Sequence, residues 1–384
     1  MIERRRGEMR IGIVTEYFPK SQKLDIRGGA EACAFNEAWT LKRRHNITIL
    51  TSRETGTPRE YTIDDLHVIG CGPPRPYVQK GSFFERLKFM TDAYHIGSKL
   101  DLDVIIGYNF ITHPVAWKIG RKIGIPAVAR YHDVWIGQWI KNIGWGGILG
   151  EILERYNLSR NFDQIIAVSE YTREKLKKYF PAEKISVVHN IIDPKVPEHE
   201  KNERPTITCV SRLVKYKRVE DLIKAVKILI DDFPGLKCNI VGTGPLEGYL
   251  KKLTGDLGLD KHVKFHGFIK KHEDVLRMIA SSHVFCLPSV VEGFGIVIVE
   301  SMSCGTPFVA TRIPPILEAS KGKGGLFFKP KNHEDLADKV KMLLEDNELY
   351  ERLKVEGLRE SKEYRSENIG KKLEKILKSL QTGT

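Results

Sequence analysis

Short runs of β-branched and aliphatic residues recur along the chain. Each is followed by a turn and a longer stretch in which apolar positions return every three or four residues. In the first half the runs predict strands over Arg10–Thr15, Ile47–Thr51, Val68–Gly70, Val104–Gly107, Ala127–Tyr131, Gln164–Val168 and Ile185–Val188. The helical patterns between them cover Ala30–Arg44, Phe83–Leu100, Thr112–Ile123 and Glu170–Tyr179. A proline- and charge-rich break follows at Asp193–Pro205, with no hydrophobic period. The alternation then restarts with strands Thr206–Val210, Lys237–Val241, Val263–His266, Val284–Leu287, Phe308–Ala310 and Leu326–Phe328. Helices Val219–Asp231, Glu247–Leu257, Ile296–Ser303 and His333–Leu344 lie among them. After Glu345 the pattern is helical and highly charged to the end. This rhythm predicts an α/β protein of two doubly wound, Rossmann-like domains, with an interdomain cleft facing strand C-termini.

The length of 384 residues agrees with two domains. A hydrophobic fraction of 41% supplies two cores, and glycine and proline are near average usage, which excludes collagen-like and low-complexity chains. The net charge of +13 raises the question of a nucleic-acid or membrane partner. Residues 1–200 hold 30 basic and 24 acidic side chains, and residues 201–384 hold 32 and 25. So even a spread is no basic arm, and no RNP-like aromatic–basic motif occurs, so nucleic acid is not expected. The six cysteines form no C-x-x-C pair and several sit in strand-like runs, as buried free thiols of a reducing compartment do. The N-terminal Arg cluster lacks the apolar core of a signal peptide, and no window approaches ~18 apolar residues. A cytoplasmic protein, at most peripheral to a membrane, is expected.

Candidate chemistry falls at strand ends. In Pro288–Pro307 a loop carries Glu292, and Gly293-Phe294-Gly295 opens a helix that holds Glu300. Glycines there admit a ligand close to backbone amides, and a helix start favours an anionic phosphate. A carboxylate further along the helix is suited to a ribose diol. The alternatives are a helix-capping Glu292 and a surface Glu300, though Glu300 sits on an otherwise apolar helix. In Cys209–Ala225, Arg212 and Lys217 flank a loop between a strand and a helix, where two cations can clamp a diphosphate. An ordinary solvated turn is the alternative.

The segments SRLVKYKRVEDLI, VGTGPL, VKFHGFI and EGFGIVIVE, in that order and spacing, resemble the donor half of glycosyltransferase family 4. The resemblance covers essentially the whole chain and is looser in the N-terminal half. It implies a GT-B fold with an acceptor-side domain over residues 1–195 and a donor domain over 204–360. A C-terminal helix over 361–384 would return to the first domain. It implies a retaining hexosyltransferase of glycan biosynthesis that uses a UDP- or GDP-sugar, with no cofactor or metal, and a glycan or lipid-linked hydroxyl acceptor. By the resemblance, Arg212 and Lys217 bind the diphosphate, Glu300 the ribose, and Glu292 the transferred sugar. Backbone amides of Phe294, Gly295, Ile296 and Val297 contact sugar and phosphate, Ile269 the base, and Gly242 belongs to the same donor side. Gly29, in the Gly28-Gly29-Ala30-Glu31 helix start, would offer amides to a phosphate across the cleft. His132, in Tyr131-His132-Asp133, would lie near the scissile bond. The family's Asn-Gly-Val-Asp appears here as Asn190-Ile191-Ile192-Asp193, without its glycine.

Other motifs lead elsewhere. Gly242–Gly248 follows a strand like a dinucleotide fingerprint, but its third glycine is one position late and Pro245 occupies the helix start. Asp101-Leu102-Asp103 reads as a turn before a strand rather than a metal site, and no P-loop motif occurs. Val134–Leu153 contains three of the five tryptophans, either as a core helix with an acceptor loop or as a patch for an anionic membrane. A sugar-nucleotide enzyme without transfer, such as a hydrolysing epimerase, and a non-catalytic basic protein remain as other classes.

Overall fold

In the computed structural model the apolar runs become the strands of two largely parallel sheets. The structure describes residues 7–20, 28–76 and 83–381. The chain divides into one unit of Met1–Ile191 with Ser366–Thr384, and a second of Ile192–Arg365.

The first unit has strands β1 (Arg10–Thr15), β2 (Asn46–Glu54), β3 (Glu60–Ile63), β4 (Leu66–Arg75), β5 (Val104–Gly107), β6 (Ala127–Tyr131), β7 (Gln164–Ala167) and β8 (Ile185–Val187). Their order is β3-β4-β2-β1-β5-β6-β7-β8. Helices α1 (Gly29–Leu41), α2 (Phe83–Gly97), α3 (His113–Ile123), α4 (Trp139–Ile143), α5 (Gly147–Leu158) and α6 (Glu170–Leu176) connect them. The central strands are apolar on both sides, as a parallel sheet covered on two faces requires. Ile11, Ile13, Ile49, Val104 and Ile106 enter one core, while Val14, Leu50 and Ile105 enter the other.

The second unit has β9 (Thr206–Val210), β10 (Lys237–Val241), β11 (Val263–Gly267), β12 (Val284–Leu287), β13 (Phe308–Thr311) and β14 (Gly325–Phe328), in the order β11-β10-β9-β12-β13-β14. Its helices are α7 (Val219–Asp232), α8 (Glu247–Asp256), α9 (His272–Ser281), α10 (Ile296–Ser303), α11 (Pro314–Ser320), α12 (His333–Glu345) and α13 (Asn347–Ser361). The last helix, α14 (Ser366–Ser379), lies with the first unit, where Ile369, Leu373 and Leu377 join the core that holds Phe35 and Ala38 of α1.

Several expectations change. Glu60–Ile63 forms an antiparallel strand against β4, through a turn in which Asp64 and Asp65 both have positive φ. Aspartate is among the few side chains that adopt this conformation at modest cost. The helix expected to reach Arg44 ends at Leu41, where the Arg44 and His45 amides both return to the Leu41 carbonyl. The charged C-terminal pattern is two helices, separated by a 3₁₀ turn at Lys362–Tyr364 that buries Tyr364 against Phe294. The break at Asp193–Pro205 has no helix or strand and is held on the second unit, where Lys201 Nζ donates to the Ser282 carbonyl at 2.6 Å. Asp101 and Asp103 both pair with Arg10, and Asp103 accepts the Arg10 amide at 2.7 Å. All six cysteines are buried and lie outside any disulfide. Among the described residues no helix is long and apolar enough to cross a membrane.

One ion pair in the first unit is fully enclosed. Arg130 on β6 donates to Glu37 of α1 at 2.5 Å, to the Val188 carbonyl at 2.7 Å and to the His189 carbonyl at 3.3 Å. The Tyr108 hydroxyl donates to the other Glu37 oxygen. Burial raises the Glu37 pKa, and Arg130 and Tyr108 oppose that rise. Removing one partner of such a pair leaves a buried charge uncompensated, so Glu37→Ala should lose about 3–5 kcal/mol of stability. Denaturant unfolding measures this, and a loss within experimental error would contradict the assignment.

Glu154 on α5 gives a second prediction. It accepts the Trp135 amide at 3.0 Å and Trp139 Nε1 at 2.6 Å, yet burial pushes its pKa up to about 7. An acid whose folded pKa is raised favours the native state most below the ordinary carboxylate range, and that contribution disappears as pH rises through the folded value. The melting temperature should therefore fall as pH is raised through about 7, more steeply than in Glu154→Gln. Superimposable pH profiles would overturn this.

Candidate active site

In the second unit the strand order reverses at β9, which lies between β10 and β12. Connections from β9 and β12 leave the same C-terminal edge at that point, the usual ligand position in an open parallel sheet. Their loops are joined by a backbone hydrogen bond, in which the Val290 amide donates to the Tyr216 carbonyl at 2.9 Å.

The β9 loop carries Arg212 and then a 3₁₀ turn over Lys215–Lys217. Lys217 Nζ donates to Glu292 Oε1 of the β12 loop at 2.5 Å, with both side chains largely shielded from solvent. Arg212 Nη2 donates to the Tyr216 hydroxyl. The next residue, Arg218, has φ +53° and grips both Asp221 oxygens, at 2.8 and 2.6 Å, so it fixes the start of α7. The cations of this segment thus divide into Arg218, which holds the fold, and Arg212 and Lys217, which face the strand-end loops.

Gly242, just after β10, has φ +125°, and a Cβ there would stand 2.0 Å from the Ser211 carbonyl oxygen. Its amide donates to Gly267 at 2.8 Å, and the Leu213 amide donates to Thr243 at 3.0 Å. Glycine therefore lets the β9 and β10 loops lie backbone to backbone, and this sets the path of the segment bearing Arg212. Ile269 is half-buried in the loop after β11.

Gly295, with φ +99°, caps α10 and supplies no side-chain acceptor to its first turn. Phe294 is buried edge-on against Tyr364, with centroids 5.4 Å apart, and Ile296 and Val297 begin the helix. Glu300 is 7% exposed, and its Oε1 lies 3.0 Å from His272 Nε2 at the start of α9. The Glu300 charge raises the His272 pKa, so the pair favours imidazolium. His272 was invisible to motif reading because it looks like an ordinary polar helix start. Only the neighbouring position of α9 and α10 pairs it with a carboxylate.

The first unit places Gly29 as the first residue of α1, after an extended Gly28. His132 follows β6. Its Nε2 is enclosed without a hydrogen-bond partner among the described residues, and its ring is tilted against Tyr108, with centroids 6.4 Å apart. Burial, then the charge of Arg130, then His113 push its pKa down to about 3, so the imidazole is neutral. His113 is likewise pushed down to about 4 by burial while its Nε2 lies 3.0 Å from the Arg130 carbonyl. Asp133 does not orient His132: it accepts from Lys175 Nζ at 2.7 Å and from the Val134 amide at 2.8 Å.

Together the second unit offers two cations, a capless helix start and two carboxylates on neighbouring loops and helices, a set suited to a diphosphate bearing polyhydroxylated groups. The family model "Glycosyltransferase Family 4" matches residues 27–196, and "Glycosyl transferases group 1" matches residues 192–359. An uncharacterized glycosyltransferase of Methanocaldococcus jannaschii is 28% identical over 368 residues, spanning 88% of this chain and 90% of that protein. Sucrose-phosphate synthase from Thermosynechococcus elongatus has a TM-score of 0.84 at 18% identity, covering 98% of this chain and 100% of the other. Anabaena HepE in complex with UDP-glucose has a TM-score of 0.75 at 18% identity, covering 97% of this chain and 100% of the other. With family models matching both halves and two parallel-sheet Rossmann-like domains of the GT-B type, the chain belongs to glycosyltransferase family 4 and is a glycosyltransferase.

Proposed function

We propose that this glycosyltransferase moves a hexose from a UDP- or GDP-sugar to a hydroxyl of a glycan or lipid-linked acceptor, with retention of anomeric configuration and without a metal. The observation that carries this reading is the Lys217–Glu292 pair at the strand-order reversal, with Glu300 on the helix that follows. HepE, whose fold this chain shares, was solved with UDP-glucose, which favours a nucleotide-linked donor.

In this reading the donor diphosphate lies against Arg212, Lys217 and the start of α10 at Phe294, Gly295, Ile296 and Val297. Glu300 accepts hydroxyl hydrogens of the ribose while His272 holds its other oxygen. Ile269 borders the base, and Gly242 holds the loop path that aims Arg212. The bond between the anomeric carbon and the β-phosphate oxygen breaks as the acceptor oxygen attaches on the same face. A β-phosphate oxygen takes the acceptor proton. The departing diphosphate gains negative charge in this step, and fixed cations with helix amides stabilise it without reorganisation. The pair with Glu292 holds the Lys217 ammonium at the strand-end loops, where it can face the donor phosphate. On the first unit, the start of α1 at Gly29 offers amides to an anionic group, and a neutral His132 can exchange hydrogen bonds with a sugar hydroxyl without adding a cation.

Lys217→Ala should lower kcat about 10²–10³-fold, because it removes charge stabilisation from the leaving group. Glu300→Ala should lose transfer chiefly through weakened donor binding. Circular dichroism and melting temperature should show both variants folded. Near-normal turnover in both would overturn the site assignment. In a thermal-shift comparison of UDP with GDP, the preferred nucleotide at 100 times its Kd should stabilise the protein by about 2.7 kcal/mol. No stabilisation by either nucleotide would overturn the donor class, and hydrolysis of the donor without any transfer to acceptor would overturn the reaction type.

A further inference from the structure

The first unit presents a surface that the donor chemistry leaves unused. Helices α4 and α5 form a short hairpin after His132, and its inner side is sealed. Trp139 packs edge-on against Phe110, with centroids 4.7 Å apart, and donates Nε1 to Glu154. Gly150 is needed for this contact, since a Cβ there would meet the Trp139 ring at 2.5 Å. Trp139, Glu154 and Gly150 thus close the hairpin on itself, while Trp139 against Phe110, Asn157 donating to the Phe110 carbonyl at 2.6 Å and a buried Leu158 hold it to its own domain.

Its outer side is apolar as well. Trp145, Ile148, Leu149 and Ile152 repeat at the spacing of a single helical face, and all are exposed. Trp145 is 83% exposed, Ile152 59%, and Ile140 of α4 50%. An apolar stripe left this exposed, on a helix already packed on its other side, marks a contact surface.

Charge identifies the partner. The same face continues to Arg155, one turn beyond Ile152, and the chain then reaches Arg160 just past the helix end. Arg121 Nη2 and Lys184 Nζ both donate to Asn161, at 2.7 and 2.6 Å, which brings two more cations to that end. On the hairpin the one partly exposed carboxylate, Glu151, is engaged by Arg155 at 2.7 Å and by the Gly137 amide at 2.9 Å. Apolar side chains with an exposed tryptophan at one end and cations at the other match the two layers of a bilayer surface, acyl boundary and phosphate. A second copy fits less well, because it would set the same cations, and another chain of net charge +13, against the first.

We propose that the α4–α5 hairpin docks this enzyme on an anionic lipid surface. Trp145, Ile148, Leu149 and Ile152 enter the headgroup–acyl boundary, while Arg121, Arg160 and Lys184 meet lipid phosphates. The contact is peripheral, and it does not depend on the donor assignment.

Co-sedimentation with vesicles of phosphatidylcholine alone, and of phosphatidylcholine with phosphatidylglycerol, tests this. At low salt the wild-type chain should bind the phosphatidylglycerol vesicles and shift its tryptophan emission to the blue. The triple variant Trp145→Ser, Ile148→Ser, Ile152→Ser should bind at least about tenfold more weakly and lose the shift. The pair Arg121→Gln, Arg160→Gln should lose the preference for phosphatidylglycerol. Both variants should keep the wild-type melting temperature and the same response to UDP or GDP, which separates failed docking from misfolding and from a failed donor site. Absence of wild-type binding to phosphatidylglycerol vesicles at low salt, or equal binding by the triple variant, would overturn the proposal. So would sedimentation of the wild type as a dimer that the triple substitution converts to monomer, since the stripe would then be a self-association face.

Discussion

Parallel strand pairing governs everything else in this molecule. Parallel neighbours cannot be joined by a tight turn, so each strand must return through a crossover, and crossovers have one hand. Strand C-termini, with their loops, are thereby collected along one edge. Where the order reverses, at β9 between β10 and β12, the connections from β9 and β12 leave the same edge and their loops lie side by side. Lys217 and Glu292 occupy that place, seventy-five positions apart in sequence and one hydrogen bond apart in space. The close passage of the Ser211 carbonyl over Gly242 belongs to the same constraint, because the loops must lie side by side before any side chain can be aimed.

The two units treat charge differently. In the second, the charged groups at strand ends, such as Lys217 and Glu292, pair in surface loops and keep some exposure to solvent. In the first, Arg130 and Glu37 are removed from water and satisfied by fixed carbonyls and a tyrosine, so the pair is part of the scaffold. Its field has a chemical consequence nearby. Together with burial it keeps His132 neutral, so that side chain can exchange hydrogen bonds without introducing a charge.

Much of this was legible in the chain because the signals are local. Periodicity placed nearly every strand, since a run buried on both faces has no polar position to obscure it. The glycine at 295 and the carboxylates at 292 and 300 announced themselves by spacing across a strand–loop–helix junction. The β3 hairpin was missed because its turn uses two aspartates where glycine or asparagine is the stronger signal. Periodicity alone does not show the helix break at Lys362–Tyr364, because nothing in its sequence forbids a helix; only the resemblance implied a separate helix from 361, and in the structure Tyr364 is buried against Phe294 at the break.

The sequence by itself determined the alternation of elements, the two-domain α/β class, the family resemblance and the residue types available at each strand end. These depend on short-range pattern and on side-chain chemistry. Tertiary structure decided the partnerships: His272 with Glu300, Arg218 with Asp221, and Asp133 with Lys175. It also divided the tryptophan-rich segment, turning Trp139 inward and Trp145 outward. Spacing along the chain says what can share a helix face, but only the packing of one element on another says which face meets protein and which meets solvent.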